Sequence, residues 1–476
     1  MTDPPKISRR AVLKSGMAGL AVTLGGTRLG RARAASRHPL FETEFDSSER
    51  YADPDEVIDD FEDLDDWEVD GGSLDADTEV VYQGSQSACL TSTPDDGDII
   101  EITREFDGLD LSEKDLSVAI RLGSPEVEQL VVTVEDEDGD SVTMNRRTIT
   151  PTYGWFRIDL GVTSESGDPD LSEVEEIRMG FNRDSDAPLV AWFDELGTNE
   201  RVDGGRVVLT FDDGGISQYT RGLPVVEDYG FPALTCVNPG RADDSDYLGE
   251  DEMREMRDAG WEIGSHTVDH ERLTDLSDSE VRQQVADAKE WLLERGFERG
   301  ASMFTYPWSS TSPRVRDIIS DYHYVAFVDG SMPHGGRLTG PLTVGRVFGE
   351  NLDRVDATLE LAEKYDQTVV LAYHDIGKDT GWISEPDFRA TMDDIERRGL
   401  EVIRPSSILT ELMDPVVDGV KPLSVRDAIA TDGEIDLSAA QRAVYLNKRD
   451  EYIPRTNGKR MDDDTLESLL REWEGR

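Results

Sequence analysis

Arg206-Val207-Val208-Leu209-Thr210-Phe211-Asp212-Asp213-Gly214 is an apolar run that stops abruptly on two carboxylates and a glycine. A Val- and Leu-rich run bounded by turn residues reads as a strand covered on both faces, as in a parallel sheet. The same alternation continues downstream. Residues 248–259 read as a helix closed by Gly260, and 261–264 as a strand. Ser277 with Glu280 three residues on is a capping-box pattern, which opens a helix through about Arg295, and Gly296 ends it. Strands at 324–328, 368–373 and 400–403 alternate with helices at 351–365 and 387–398. Repeated βα units over 204–412 predict a parallel sheet closed into a barrel, with its chemistry at the C-terminal ends of the strands. Asp212, Asp213, His266 and His374 all fall just after expected strands.

Those four residues belong to three segments. The first is Thr210-Phe211-Asp212-Asp213-Gly214, the second Ser265-His266-Thr267-Val268-Asp269-His270, and the third Leu371-Ala372-Tyr373-His374. A divalent metal that activates water needs a few protein ligands and open positions. Two histidines at i and i+4 converge on one ion, and one carboxylate completes the set. Asp213, His266 and His270 fit that need. Asp212 is expected to point elsewhere, because consecutive side chains in extended backbone diverge. It is then free to act as a base. Gly214 and Gly215 read as a sharp turn beside the ion rather than a phosphate loop. His38, His323 and His334 have no partner pattern and read as surface or satisfied core residues.

In order and separation, the first two segments resemble the opening motifs of the polysaccharide deacetylases of carbohydrate esterase family 4, the NodB-homology domain. The third resembles that family's last motif. The resemblance implies a distorted (β/α) barrel of fewer than eight strands and metal-dependent hydrolysis of N-acetyl groups on sugars. One divalent metal is implied, zinc first and cobalt second, bound by Asp213, His266 and His270. Asp212 would be the general base and His374 the general acid. Leu371 would line the acetate methyl pocket, and Tyr306 and Trp308 would contact substrate. One motif departs from the pattern. Many members have Arg-Pro-Pro-Tyr-Gly where this chain has Thr305-Tyr306-Pro307-Trp308-Ser309. Thr305 cannot form the ion pair that orients the base, and Arg346 is the expected substitute. Asp329 is the candidate for tuning the acid histidine. Two rival readings remain open: a cyclic amide or imide hydrolase on the same fold, and a glycan-binding protein with an inactive deacetylase domain.

Upstream, 57–200 is predicted to be all-β, with short alternating runs separated by turns such as Glu137-Asp138-Gly139-Asp140. Its opening residues Phe61 to Trp67 and its closing run Val190-Ala191-Trp192-Phe193-Asp194 resemble jelly-roll carbohydrate-binding modules. Trp67, Trp155 and Trp192 sit at strand spacing, which favours core packing over sugar stacking. Residues 35–56 read as an acidic, flexible linker. Residues 1–34 resemble a twin-arginine export signal, from Ser8-Arg9-Arg10 to Ala32-Arg33-Ala34. That predicts an extracellular or cell-surface protein with no transmembrane segment in the mature chain. Residues 413–476 carry no motif, and 437–449 and 464–473 are expected to be helices.

The chain has 476 residues, with 49 Lys plus Arg against 102 Asp plus Glu, a net charge of -53. Such a field repels nucleic acid and anionic membranes, so neither is an expected partner. An N-acetylated glycan is the partner that the deacetylase resemblance implies. The acid coat reads as adaptation to high salt, where self-repulsion is screened. Cys89 and Cys236 fall in different expected domains, so no disulfide is predicted.

Overall fold

The computed structural model describes residues 38–44, 52–183, 185–377, 382–413, 417, 421–431 and 433–475. The expected export signal at 1–34 lies outside the described residues. The chain divides into two compact units, Leu40–Pro422 and a unit containing Leu423–Arg476.

The larger unit begins with two antiparallel sheets. One runs β3 (Ser73–Asp77), β4 (Ser87–Ser92), β12 (Leu189–Glu200), β6 (Lys114–Ser124) and β9 (Phe156–Asp159), with β1 (Glu56–Asp59) also on β12. The other runs β10 (Ser164–Ser166), β8 (Ser141–Ile149), β7 (Glu128–Asp136), β11 (Val174–Asn182), β5 (Ile99–Leu109) and β2 (Trp67–Asp70). Alternation drives the packing. In β7 every second residue is buried, and Leu130, Val132 and Val134 join Ile177 and Met179 of β11 in one apolar cluster. Each such side chain contributes about 1.5–3 kcal/mol of burial. Trp67 is buried, stacks on Phe61, and donates its indole N–H to Asp59 at 2.9 Å. Trp155 and Trp192 are half-buried, and Trp192 donates to Asp77 at 2.9 Å.

A closed parallel barrel of seven strands follows: β13 (Arg206–Phe211), β14 (Leu234–Val237), β15 (Glu262–Ser265), β16 (Met303–Thr305), β17 (Val325–Asp329), β18 (Val344–Phe348) and β19 (Thr368–Tyr373). Pairing of β13 with both β14 and β19 closes the ring, and β20 (Glu401–Val402) attaches outside it to β13. The expected barrel of fewer than eight strands is therefore the observed one. Strand parity sorts its residues. Leu209, Phe211, Leu371 and Tyr373 share an apolar cluster with the surrounding helices, whereas Val208 and Val370 pack in a separate one. The capping box forms as read, with the Ser277 N–H donating to Glu280 at 2.9 Å at the head of helix Asp278–Glu294.

Within the barrel region three strands and two helices escaped the sequence reading: β14, β16, β18, Leu223–Tyr229 and Pro313–Ser320. β16 has three residues, and β18 carries Gly345 and Arg346, so neither shows a clean apolar period. The expected linker is anchored in part. Phe41 is buried edge-on against Tyr322, and the Thr43 N–H donates to the Asp321 carbonyl at 3.0 Å. One aromatic ring in a polar stretch suffices to dock it. Cys89 and Cys236 are both free thiols. His334 and His323 are core residues, bonded to the Gly345 and Ala301 carbonyls at 2.7 and 3.1 Å.

The second unit contains helices Val425–Ile429, Leu437–Arg449 and Asp463–Glu474, packed on Ile429, Ile435, Ala443 and Trp473. Among the described residues no helix is long and apolar enough to cross a membrane.

Candidate active site

The barrel mouth is built from left-handed backbone. Asp213 (φ 70°), Gly214 (69°), Thr267 (65°), His270 (61°), Trp308 (61°) and Ser309 (50°) all adopt it. Non-glycine residues held there cost about 1–3 kcal/mol each and cluster at functional sites. Asp212 and Asp213 were expected to diverge as neighbours in extended backbone do. They diverge because β13 stops at Phe211 and Asp213 turns left-handed. Asp212 stays buried and Asp213 becomes half-exposed. A Cβ at Gly214 would meet Val237 at 2.9 Å, so the turn leaves no room for a side chain there.

Asp213, His266 and His270 converge. Asp213 Oδ1 lies 3.2 Å from His270 Nε2 and 3.7 Å from His266 Nε2, and each residue's ligand atom is within 4.8 Å of the others. That Oδ1 is buried and accepts no hydrogen bond, so it is available to a cation. His266 Nδ1–H donates to the Thr305 carbonyl at 2.8 Å, which fixes the tautomer that turns Nε2 to the cluster. Burial, helped by the neighbouring His266, pushes His270 down to about 4, so its ring is neutral near pH 7 and keeps a lone pair. Two imidazoles and one carboxylate with one side open suit zinc or a similar divalent ion.

Asp212 sits beside this cluster in a bidentate pair with Arg346. Nη1 and Nη2 donate to Oδ1 and Oδ2 at 2.9 and 2.7 Å, and both side chains are buried. Burial pushes the Asp212 carboxyl upward, but Arg346 outweighs it and holds the group well below the usual carboxylate range. The same pairing raises Arg346 against its own burial. Thr305 contributes its carbonyl rather than an ion pair, and Arg346 stands at the other side of the carboxylate from β18.

His374 follows β19 across the cavity. The carboxylate facing it is Glu350, whose Oε1 is 4.0 Å from His374 Nδ1, and neither of these atoms has a hydrogen-bond partner. Burial holds the Glu350 carboxyl above its ordinary value. Asp329, the expected partner of His374, lies instead 3.8 Å from Arg346. Its position at the end of β17, next to β18, puts it on the arginine's side. Trp382 stacks on His374 with ring centroids 4.2 Å apart.

Leu371 does not take the expected place in the substrate pocket. It is three residues before His374, an odd separation, so strand alternation turns it outward into the cluster of Leu209, Phe211 and Tyr373. Tyr306 and Trp308 do line the cavity, together with Asp212, Asp213, His266, His270, Asp329, Arg346, Glu350, His374 and Trp382, around a volume of about 500 Å³. Tyr306 is buried, whereas Trp308 is 64% exposed at the rim, edge-on to His270 with centroids at 5.2 Å.

Residues 199–327 match the family model described as Polysaccharide deacetylase. A Bacillus subtilis (strain 168) protein, "Putative polysaccharide deacetylase YxkH", is 33% identical over 101 residues, which is 21% of this chain and 36% of that protein. The match thus spans about a third of the relative's length. A family 4 carbohydrate esterase from Streptomyces lividans in complex with acetate is similar over 42% of this chain and 91% of its own, at 17% identity and a TM-score of 0.31. The chitin deacetylase of the fungal pathogen Colletotrichum lindemuthianum is similar over 44% and 90%, at 17% identity and a TM-score of 0.33. The matched deacetylase segment contains Asp212, Asp213, His266 and His270. Arg346, Glu350, His374 and Trp382 lie beyond it. Glu350 and Trp382 were missed in the sequence. The only signal for Glu350 was its place just after β18, itself unrecognised, and for Trp382 a lone indole soon after His374.

Proposed function

We propose that this chain removes N-acetyl groups from an N-acetylated polysaccharide by hydrolysis and releases acetate, using one divalent metal held by Asp213, His266 and His270. The observation that carries the reading is the buried, ionised Asp212 clamped by Arg346 beside that three-residue cluster, with His374 facing the same cavity. A bound divalent ion would supply Lewis-acid polarisation of the amide carbonyl and acidify water. Asp212 accepts the proton of the attacking water, and its fixed pairing with Arg346 keeps it oriented and ionised for that task. His374 donates a proton to the departing nitrogen, so the amide C–N bond breaks to give acetate and a free amine. Trp308 at the rim and Trp382 against His374 offer ring faces for sugar. The tetrahedral intermediate is further stabilised by a backbone N–H near Trp308.

Export by the twin-arginine route, an extracellular or cell-surface setting and function in high salt complete the proposal. They rest on Ser8-Arg9-Arg10 and on the net charge of -53. The test is acetate release from an N-acetylglucosamine oligomer by the full chain in molar salt with added zinc. Release that Asp212→Asn abolishes supports the reading. Oligomer binding without release would refute it.

A further inference from the structure

The mouth of the barrel is supported from an unexpected side. The chain between Asp329 at the end of β17 and Arg346 in β18 leaves the barrel and runs against the β-sandwich. There the Asp159 carboxylate accepts the Thr339 N–H at 2.9 Å and its hydroxyl at 2.5 Å. Arg146, on β8 of the sandwich, is fully buried, and its Nη2 donates to the Thr343 carbonyl at 3.5 Å. Its guanidinium occupies a slot made by two glycines. A Cβ at either Gly330 or Gly345 would fall 1.8 Å from Arg146 Nη1. Those glycines directly follow Asp329 and directly precede Arg346. A second contact braces the adjoining loop after β16: Tyr153 Oη donates to the Ser309 carbonyl at 3.4 Å, and Ser309 Oγ accepts the Asp329 N–H at 2.9 Å.

We propose that the β-sandwich is part of the catalytic apparatus, with Arg146 a positioning residue that sets Asp329 and Arg346, and through them the base Asp212. Asp329 stands 3.8 Å from Arg346 and competes with Asp212 for it. The buried Arg146 guanidinium also attracts Asp329, which offsets that pull and leaves Arg346 bidentate on Asp212. Burying a guanidinium is costly, so a slot of two glycines that admits one is a built feature. An apolar side chain of similar length would fill the volume without the charge.

The proposal rests on the deacetylase reading for its kinetic consequence and on geometry for the rest, so two readouts are needed. In the full chain, Arg146→Met should lower kcat about 10–100-fold with KM and zinc content unchanged, and Arg146→Lys should recover part of the loss. Gly330→Ala, which intrudes on the slot, should act like Arg146→Met and serves if that variant does not fold. Independently of turnover, amide exchange at Ser331, whose N–H bonds the Arg346 carbonyl at 2.9 Å, should quicken in Arg146→Met while β7 amides stay protected. If the unsubstituted chain releases no acetate, the deacetylase reading fails and Ser331 exchange alone decides this one. Wild-type kcat together with wild-type Ser331 exchange in both variants, or a change in KM alone, would overturn it.

Discussion

The seam between sandwich and barrel and the mouth of the barrel both bury charge, but they treat it differently. In the seam, Arg146 apart, the buried charges have close partners. Arg157 meets Glu195 at 2.6 Å, Arg201 meets Asp115 at 3.1 Å, and Asp159 is filled by Thr339. At the mouth Asp213 Oδ1, Glu350 Oε1 and His374 Nδ1 are buried with no hydrogen-bond partner. Most buried polar atoms are hydrogen-bonded, so three unpaired ones around one cavity mark it as a candidate binding site. The seam holds geometry, and the mouth offers groups that suit the proposed cation and substrate.

Substitutions break or sharpen that contrast. The largest loss should follow His266→Ala, which removes a proposed metal ligand: zinc content by elemental analysis and turnover should vanish together. Asp212→Asn keeps the cluster and removes the base, so turnover should fall about 10²–10⁴-fold at unchanged zinc content. Glu350→Gln should cost about 10-fold in kcat, read by steady-state acetate release, because His374 loses the carboxylate that faces it. On the seam side, Arg157→Met strands Glu195 without its partner. It should destabilise by about 3–5 kcal/mol in denaturant unfolding, with turnover per folded molecule unchanged. A rate loss there would extend to Arg157 the positioning role proposed for Arg146.

The smallest effect concerns Asp194 in the sandwich. Burial raises its carboxyl from 3.8 to about 6, against backbone N–H bonds from Tyr82 and Gln83. With the folded value above the unfolded one, the stabilisation from its proton is complete below pH 3.8 and is lost as pH rises through about 6. Asp194→Asn keeps the neutral form at every pH. Its melting temperature should gain on the unsubstituted chain by a small margin between pH 4 and 7.

The barrel and the His/Asp cluster were legible in the sequence because both rest on short local segments. β13 is one apolar run, and Asp213, His266 and His270 sit in short segments whose spacing expresses their convergence. Arg346 was reached by asking what replaces the ion pair that Thr305 cannot make, and the structure brings it to Asp212. The partner of His374 was misread as Asp329. Glu350 and Asp329 flank the same strand pair, and only the three-dimensional register of β17 with β18 separates their directions. Leu371 was misplaced for a simpler reason: its odd separation from His374 fixes opposite faces of one strand. The role of the seam was illegible, because Arg146 and the two glycines that receive it are nearly two hundred residues apart and share no pattern.

Acetate release from an N-acetylglucosamine oligomer should be followed in the full chain as isolated, after chelation, and after zinc is restored. Release that disappears with the metal and returns with it is the predicted result. Release that persists in metal-free protein, or none from the zinc-loaded chain, would contradict a reaction built on Asp213, His266 and His270.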